Sequence, residues 1–160
     1  MATVNRWEAV HMIKAISESS PPQPTAVITE RVAVDLGAEL RELGMLRAIT
    51  DTVCMMADVT LDAIPDIRLV LSEAATALIL DAVPGSRLGC EFNYSRRRMS
   101  VRLTVTAARH GELSRDPLSW RLVEVLTDSA ELVSSPFDPD TGGYRTTLEF
   151  GWARATSGQR

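Results

Sequence analysis

RLGCEFNYSRRRMSVRLTVTA, residues 87–107, decides how the chain is read. Leu88, Cys90, Phe92 and Tyr94 alternate with Arg87, Glu91, Asn93 and Ser95. Beyond RRRM, Val101, Leu103 and Val105 alternate with Ser100, Arg102 and Thr104. Two period-2 runs joined by a short basic turn predict an antiparallel hairpin with one face on a core. The run Arg96-Arg97-Arg98 reads as a solvated tip. Toward the N-terminus, PGS at 84–86 separates this hairpin from a helix over 62–82, apolar through IRLVLSEAATALIL. Thr60 or Asp62 can cap that helix, and Pro65 fits its first turn. A helix so apolar is expected to be mostly buried, and its few polar residues then need a reason. GAELRELGMLRAITDTVCMMA, 37–57, sets Leu40, Leu43, Leu46, Ile49, Val53 and Met56 at three- and four-residue steps, the pattern of an amphipathic helix with one buried stripe. AVITERVAV, 26–34, reads as a strand.

Toward the C-terminus, ARHGELSRDP is loop-like, and DPLSWRLVEVLTDSA from Asp116 predicts a third helix with Trp120, Val123 and Leu126 or Thr127 inward. ELVSS and YRTTLEFGW then pair around FDPDTGG, with Tyr144, Thr146, Leu148, Phe150 and Trp152 on one face. The spacing in FDPDTGG does not suit a Ca2+ loop, so it is read as a hairpin turn. The order β, α, α, β, β, loop, α, β, β predicts an α/β two-layer sandwich. Its sheet is mostly antiparallel, with helices on one face.

At the front, NRWEAVHMIKAISE, 5–18, places Ala9, Met12, Ile13 and Ile16 at helical spacing, and SSPPQP, 19–24, stops it. Three regions follow: an arm and Pro-rich linker over 1–25, a domain over 26–153 and a flexible tail over 154–160. The arm suits a docking role toward a partner or second subunit, or a helix folded back on its own domain.

With 160 residues, one compact domain is expected. Sixteen of the 17 basic residues are Arg, against 21 acidic residues, giving a net charge of −4. That balance argues against a broad nucleic-acid surface. Cys54, Cys90, His11 and His110 have no metal-site spacing, and free thiols suit a cytoplasmic protein. His110, beside Gly111, reads as exposed and has no nucleophile setting. No apolar run reaches the roughly 20 residues that span a bilayer, and Glu8, His11 and Lys14 break any signal-peptide core.

IRLVLSEAATALI, 67–79, resembles the helix of the GHKL ATPases that carries Glu and, four residues later, Asn. ELGMLRAITDTVCMMA, 42–57, is similar to the first helix of one branch, which has Arg at the position of Arg47. DPLSWRLVEVLTDSAELV, 116–133, resembles the helix and strand after that branch's nucleotide lid. Together they make residues 26–153 resemble the RsbW-like anti-sigma factors of divergent actinobacterial type, small serine kinases of histidine-kinase-like ATPase fold.

The resemblance implies an anti-sigma factor. It would sequester an alternative, stress-response sigma factor, be released by an anti-anti-sigma partner and form a homodimer. Arg47 is implied in partner contact, with Glu39 and Glu42 flanking it; the residue alone reads equally as a surface Arg in a local ion pair. Glu73 matches the general base, or is a helix Glu at a partly exposed edge. Ala77 stands where the family has its Mg2+-holding Asn. TAARHGEL, 106–113, lacks the adenine-binding Asp and keeps one glycine, Gly111. Asp116-Pro117-Leu118-Ser119-Trp120 replaces the glycine-rich phosphate turn, although Ser119 and Arg121 could contact an anion or serve as cap and surface residues. Glu112 is the nearest stand-in for the missing carboxylate. The expectation is a degenerate nucleotide site with no cofactor, ATP and Mg2+ entering only if that site still works. The alternative is an active ATP-dependent serine kinase with Glu73 as base.

Overall fold

In the computed structural model, residues 29–111 and 117–154 are described; the arm, residues 112–116 (with Glu112 and Asp116) and the tail from 155 lie outside them. Strand β1 (Glu30–Gly37) is followed by a 3-10 turn (Leu40–Glu42), helix α1 (Leu43–Met56) and helix α2 (Ile64–Leu80). Then come β2 (Arg87–Tyr94), β3 (Arg98–Ala107), α3 (Pro117–Leu126), β4 (Ser129–Asp138) and β5 (Gly143–Ala153). The order expected from the sequence is the order found. All pairings are antiparallel, and the strands lie β1-β2-β3-β5-β4 across one sheet.

Alternation puts one side chain in two on the helix side. Leu88, Cys90, Phe92 and Tyr94 of β2 are buried there beside Met99, Val101, Leu103 and Val105 of β3. On β5, Thr146, Leu148 and Phe150 are buried, with Tyr144 and Trp152 half-buried on the same face. The opposite face carries Glu91, Arg102 and Glu149 in one row across three strands. The helices pack on the inner face, with α2 contributing ten buried residues to the core.

Several boundaries differ from the periodicity, each for a local reason. The β1 ladder runs to Gly37, paired with Arg87, and the Ala38 N–H donates to the Ser86 carbonyl at 3.0 Å. The backbone at 37–38 is thus committed to the sheet side, Glu39 turns back with its N–H on the Gly37 carbonyl at 2.8 Å, and helical geometry starts only at Leu40. Of the six apolar positions expected on the α1 stripe, Leu46 and Val53 are buried and Leu43 and Ile49 half-buried. Leu40 and Met56 are exposed, because Leu40 sits in the 3-10 turn and the buried face is centred on Leu46, Thr50, Val53 and Cys54. Neither Thr60 nor Asp62 caps α2: Ala63 is the N-cap residue and donates its N–H to the Thr60 carbonyl in a preceding turn. Pro65 has no N–H for a cap to satisfy.

On α3, Val123 is buried, with Trp120, Leu122 and Leu126 half-buried against the core. The basic tip closes at Ser95–Arg97, where Ser95 Oγ accepts the N–H groups of Arg97 and Arg98 at 3.2 and 3.3 Å. FDPDTGG makes the expected hairpin. Asp138 carboxylate oxygens accept Asp140 N–H and Thr141 Oγ1, and Gly142 turns at φ 70°. Strand β4 shifts register between Ser134 and Phe137, a bulge that contains Pro136. The chain is anchored at its far end by Arg154, whose guanidinium donates to the Ser95 carbonyl at 2.7 Å and the Asp58 carbonyl at 2.9 Å.

Candidate functional site

The polar residues of α2 answer the question posed by its apolar sequence. Ser72 is 7% exposed, and its Oγ accepts a 3.0 Å hydrogen bond from Arg47 Nε on α1. One turn toward the N-terminus, Arg68 reaches Asp51 of α1 at 2.9 Å. Both charged residues of α1 are therefore turned toward α2. Arg47 stays exposed while its guanidinium is held by a neutral partner, so it is not in the local ion pair that the sequence allowed. Glu39 and Glu42 do not reach it; they engage Arg41, with N–O distances of 2.9 and 3.6 Å.

Glu73, next to Ser72, faces the third helix. Its Oε2 accepts a 2.9 Å hydrogen bond from Ser119 Oγ, so the base candidate and the segment in place of the glycine-rich turn are brought into contact. Arg121 is exposed. Ala77 and Asp81 follow at four-residue steps, close to one face of α2. Ala77 is 8% exposed.

Asp81, 4% exposed at the end of α2, was not singled out by sequence reading. Its Oδ1 takes Nε and a terminal nitrogen of Arg109 at 2.8 and 2.7 Å, while its Oδ2 is buried without a hydrogen-bond partner. Its carbonyl accepts the Ala108 N–H at 2.7 Å. Thus the segment matched to the adenine-binding motif supplies a guanidinium to a buried acid on α2. The one signal available was Asp81 itself, a charge closing an apolar helix. His110 is exposed, edge-on to Tyr144 at 5.2 Å.

Other chemistries find little here. Burial pushes the Cys54 thiol up to about 11, with Asp51 adding to the effect, and the Cys90 thiol up to about 12, with Glu91 adding. A thiol so raised is protonated at neutral pH and a poor nucleophile. Among the described residues no group of His, Cys, Asp and Glu could hold a metal ion, and no helix is long and apolar enough to cross a membrane.

No protein-family profile matches the chain. Among curated proteins it is similar to the anti-sigma-F factor RsbW of Mycobacterium tuberculosis, in strains CDC 1551 / Oshkosh and ATCC 25618 / H37Rv. Each match is 25% identical over 112 residues, 70% of this chain and 67% of the relative. The comparison therefore gives a likeness: the chain is distantly similar to RsbW, a protein named as an anti-sigma-F factor.

Proposed function

We propose that the protein is a cytoplasmic anti-sigma factor that holds an alternative sigma factor through the Arg47 end of α1 and is released by an anti-anti-sigma partner. The observation that carries this reading is the 112-residue likeness to the anti-sigma-F factor. Arg47 supports it: an exposed guanidinium fixed by Ser72 is pre-oriented for a partner's acidic or carbonyl groups, so less side-chain freedom is lost on binding. The same resemblance brings a homodimer.

The described residues do not fit Mg–ATP. Mg2+ wants oxygen ligands, and Ala77 offers a methyl group. Glu73 already accepts a hydrogen bond from Ser119. The segment after β3 directs Arg109 onto Asp81 instead of leaving a carboxylate for an adenine amino group. These features support a binding protein without nucleotide turnover, and no chemical step is assigned to Glu73. The rival reading, a serine kinase acting on the anti-anti-sigma partner, rests on Glu73 keeping the general-base position.

The test is a native pull-down with the full-length chain, followed by calorimetry against whichever sigma factor is recovered. A sigma factor should be retained, Mg–ATP should give no heat at micromolar concentrations, and the anti-anti-sigma protein should remain unphosphorylated. Phosphotransfer abolished by Glu73→Ala would establish the kinase. Recovery of no sigma factor would defeat both readings.

A further inference from the structure

The outward face of α1 is uncharged along its whole length. Gly44, Met45, Ala48, Thr52, Met55 and Met56 are all exposed, while Arg47 and Asp51 are turned to α2. Met45, Met55 and Met56 are 55%, 61% and 61% exposed, and Leu61, in the turn beyond, is 82% exposed. A helix facing water normally carries charge on that side, and a contiguous apolar strip marks a contact surface. From its first turn to its middle the strip is shallow: a Cβ on Gly44 would meet nothing within 4 Å, and Ala48 and Thr52 are small.

We propose that residues 5–18 of this same chain cover that face, packing Ala9, Met12, Ile13 and Ile16 against Met45, Met55 and Met56. Lengths agree: fourteen residues in the segment and fourteen in α1, each about 21 Å as helix. The point of entry agrees as well. Glu30, the first residue of β1, pairs with Tyr94. One guanidinium, that of Arg154, bridges the carbonyls of the neighbouring Ser95 and of Asp58, two residues past the end of α1. The chain thus enters the sheet beside the Met55–Met56 end of the uncharged face. Residues 19–29 can span up to about 36 Å, more than the length of α1, so the segment reaches the whole strip. A tether of that length presents the segment at roughly millimolar effective concentration, above that of a dilute second copy. This proposal does not depend on the anti-sigma reading.

Cross-linking tests it, because buried, protonated Cys54 and Cys90 stay out of disulfide exchange. Ile13→Cys is combined in the full-length chain with Met45→Cys or with Met55→Cys, both exposed sites that leave the core untouched. The control pairs Ile13→Cys with Val133→Cys on β4, and circular dichroism verifies folding of each variant. Under mild oxidation at least one α1 pair should close within the monomer ten-fold or more faster than the control, at a rate independent of protein concentration. Adding Met56→Asp should slow it toward the control. Equal rates for all pairs would overturn the proposal, as would disulfides forming only between chains, which would give the face to a second copy.

Discussion

Ser72 is the one buried polar side chain within α2, and its hydroxyl oxygen accepts the Arg47 hydrogen bond. Ser72→Ala removes that acceptor and frees the guanidinium. The loss should be about 1 kcal/mol, or about 2–4 °C in Tm by calorimetry for a chain of this size. Sigma-factor affinity should fall with it, through loss of orientation. Arg47→Glu should weaken sigma binding far more, by several kcal/mol if the contact is desolvated, with a Tm change no larger than that of Ser72→Ala. Unchanged affinity in Arg47→Glu would remove the residue from the interface. Glu73 was legible in the sequence because a helical motif fixes its neighbours at set intervals. Its engagement by Ser119, 46 residues away, was not, and neither was the Asp81–Arg109 pair, because both depend on where α3 and the segment after β3 settle.

Elements were legible where one face is buried, since burial imposes a period and the period is written in the side chains. Hence the β2–β3 hairpin emerged from Leu88 to Val105. The start of α1 did not, because Leu40 is apolar and correctly spaced yet belongs to a turn dictated by the β1–β2 ladder. Two glycines separate these influences. Gly143 opens β5 against β3: a Cβ there would lie 2.5 Å from the Ala107 carbonyl oxygen and 2.8 and 2.9 Å from methyl groups of Thr106 and Val83. Gly143→Ala should therefore cost about 1–3 kcal/mol by overpacking. Gly44→Ala, in open space within the first turn of α1, should stabilise by about 0.5 kcal/mol through reduced unfolded-state freedom. Chemical denaturation of the two variants should give opposite signs; equal signs would mean that the β3–β5 spacing relaxes freely.

At the scale of the whole molecule, strand order was beyond the reach of pattern, because nothing local says that β5 inserts between β3 and β4. That insertion builds the outer-face row in which Arg102 meets Glu149 at 2.8 Å, with Glu91 at 3.8 Å on its other side. Hydrogen bonds from Arg31 and Asn93, and then the nearby guanidinium charges, hold the Glu91 carboxyl below its ordinary range. Because its folded value lies below its unfolded one, its contribution is complete above the normal carboxylate pKa. It disappears as pH falls through the folded value. Glu91→Gln should accordingly flatten the acid limb of a Tm-versus-pH curve while shifting the neutral plateau only slightly; parallel curves would dismiss this row as a source of acid sensitivity.

The interruption at Pro136 bears on a different hazard. Strand β4 ends the sheet, and beside the break lie Val133 and Phe137, 53% and 54% exposed. An apolar rim of that kind invites a foreign strand to add on and start a fibril. The missing N–H and the shifted register deny such a strand a continuous ladder, so the rim can stay sticky without propagating. Pro136→Val should shorten the lag of thioflavin-positive growth on gentle warming, and an unaltered lag would strip the bulge of this protective part.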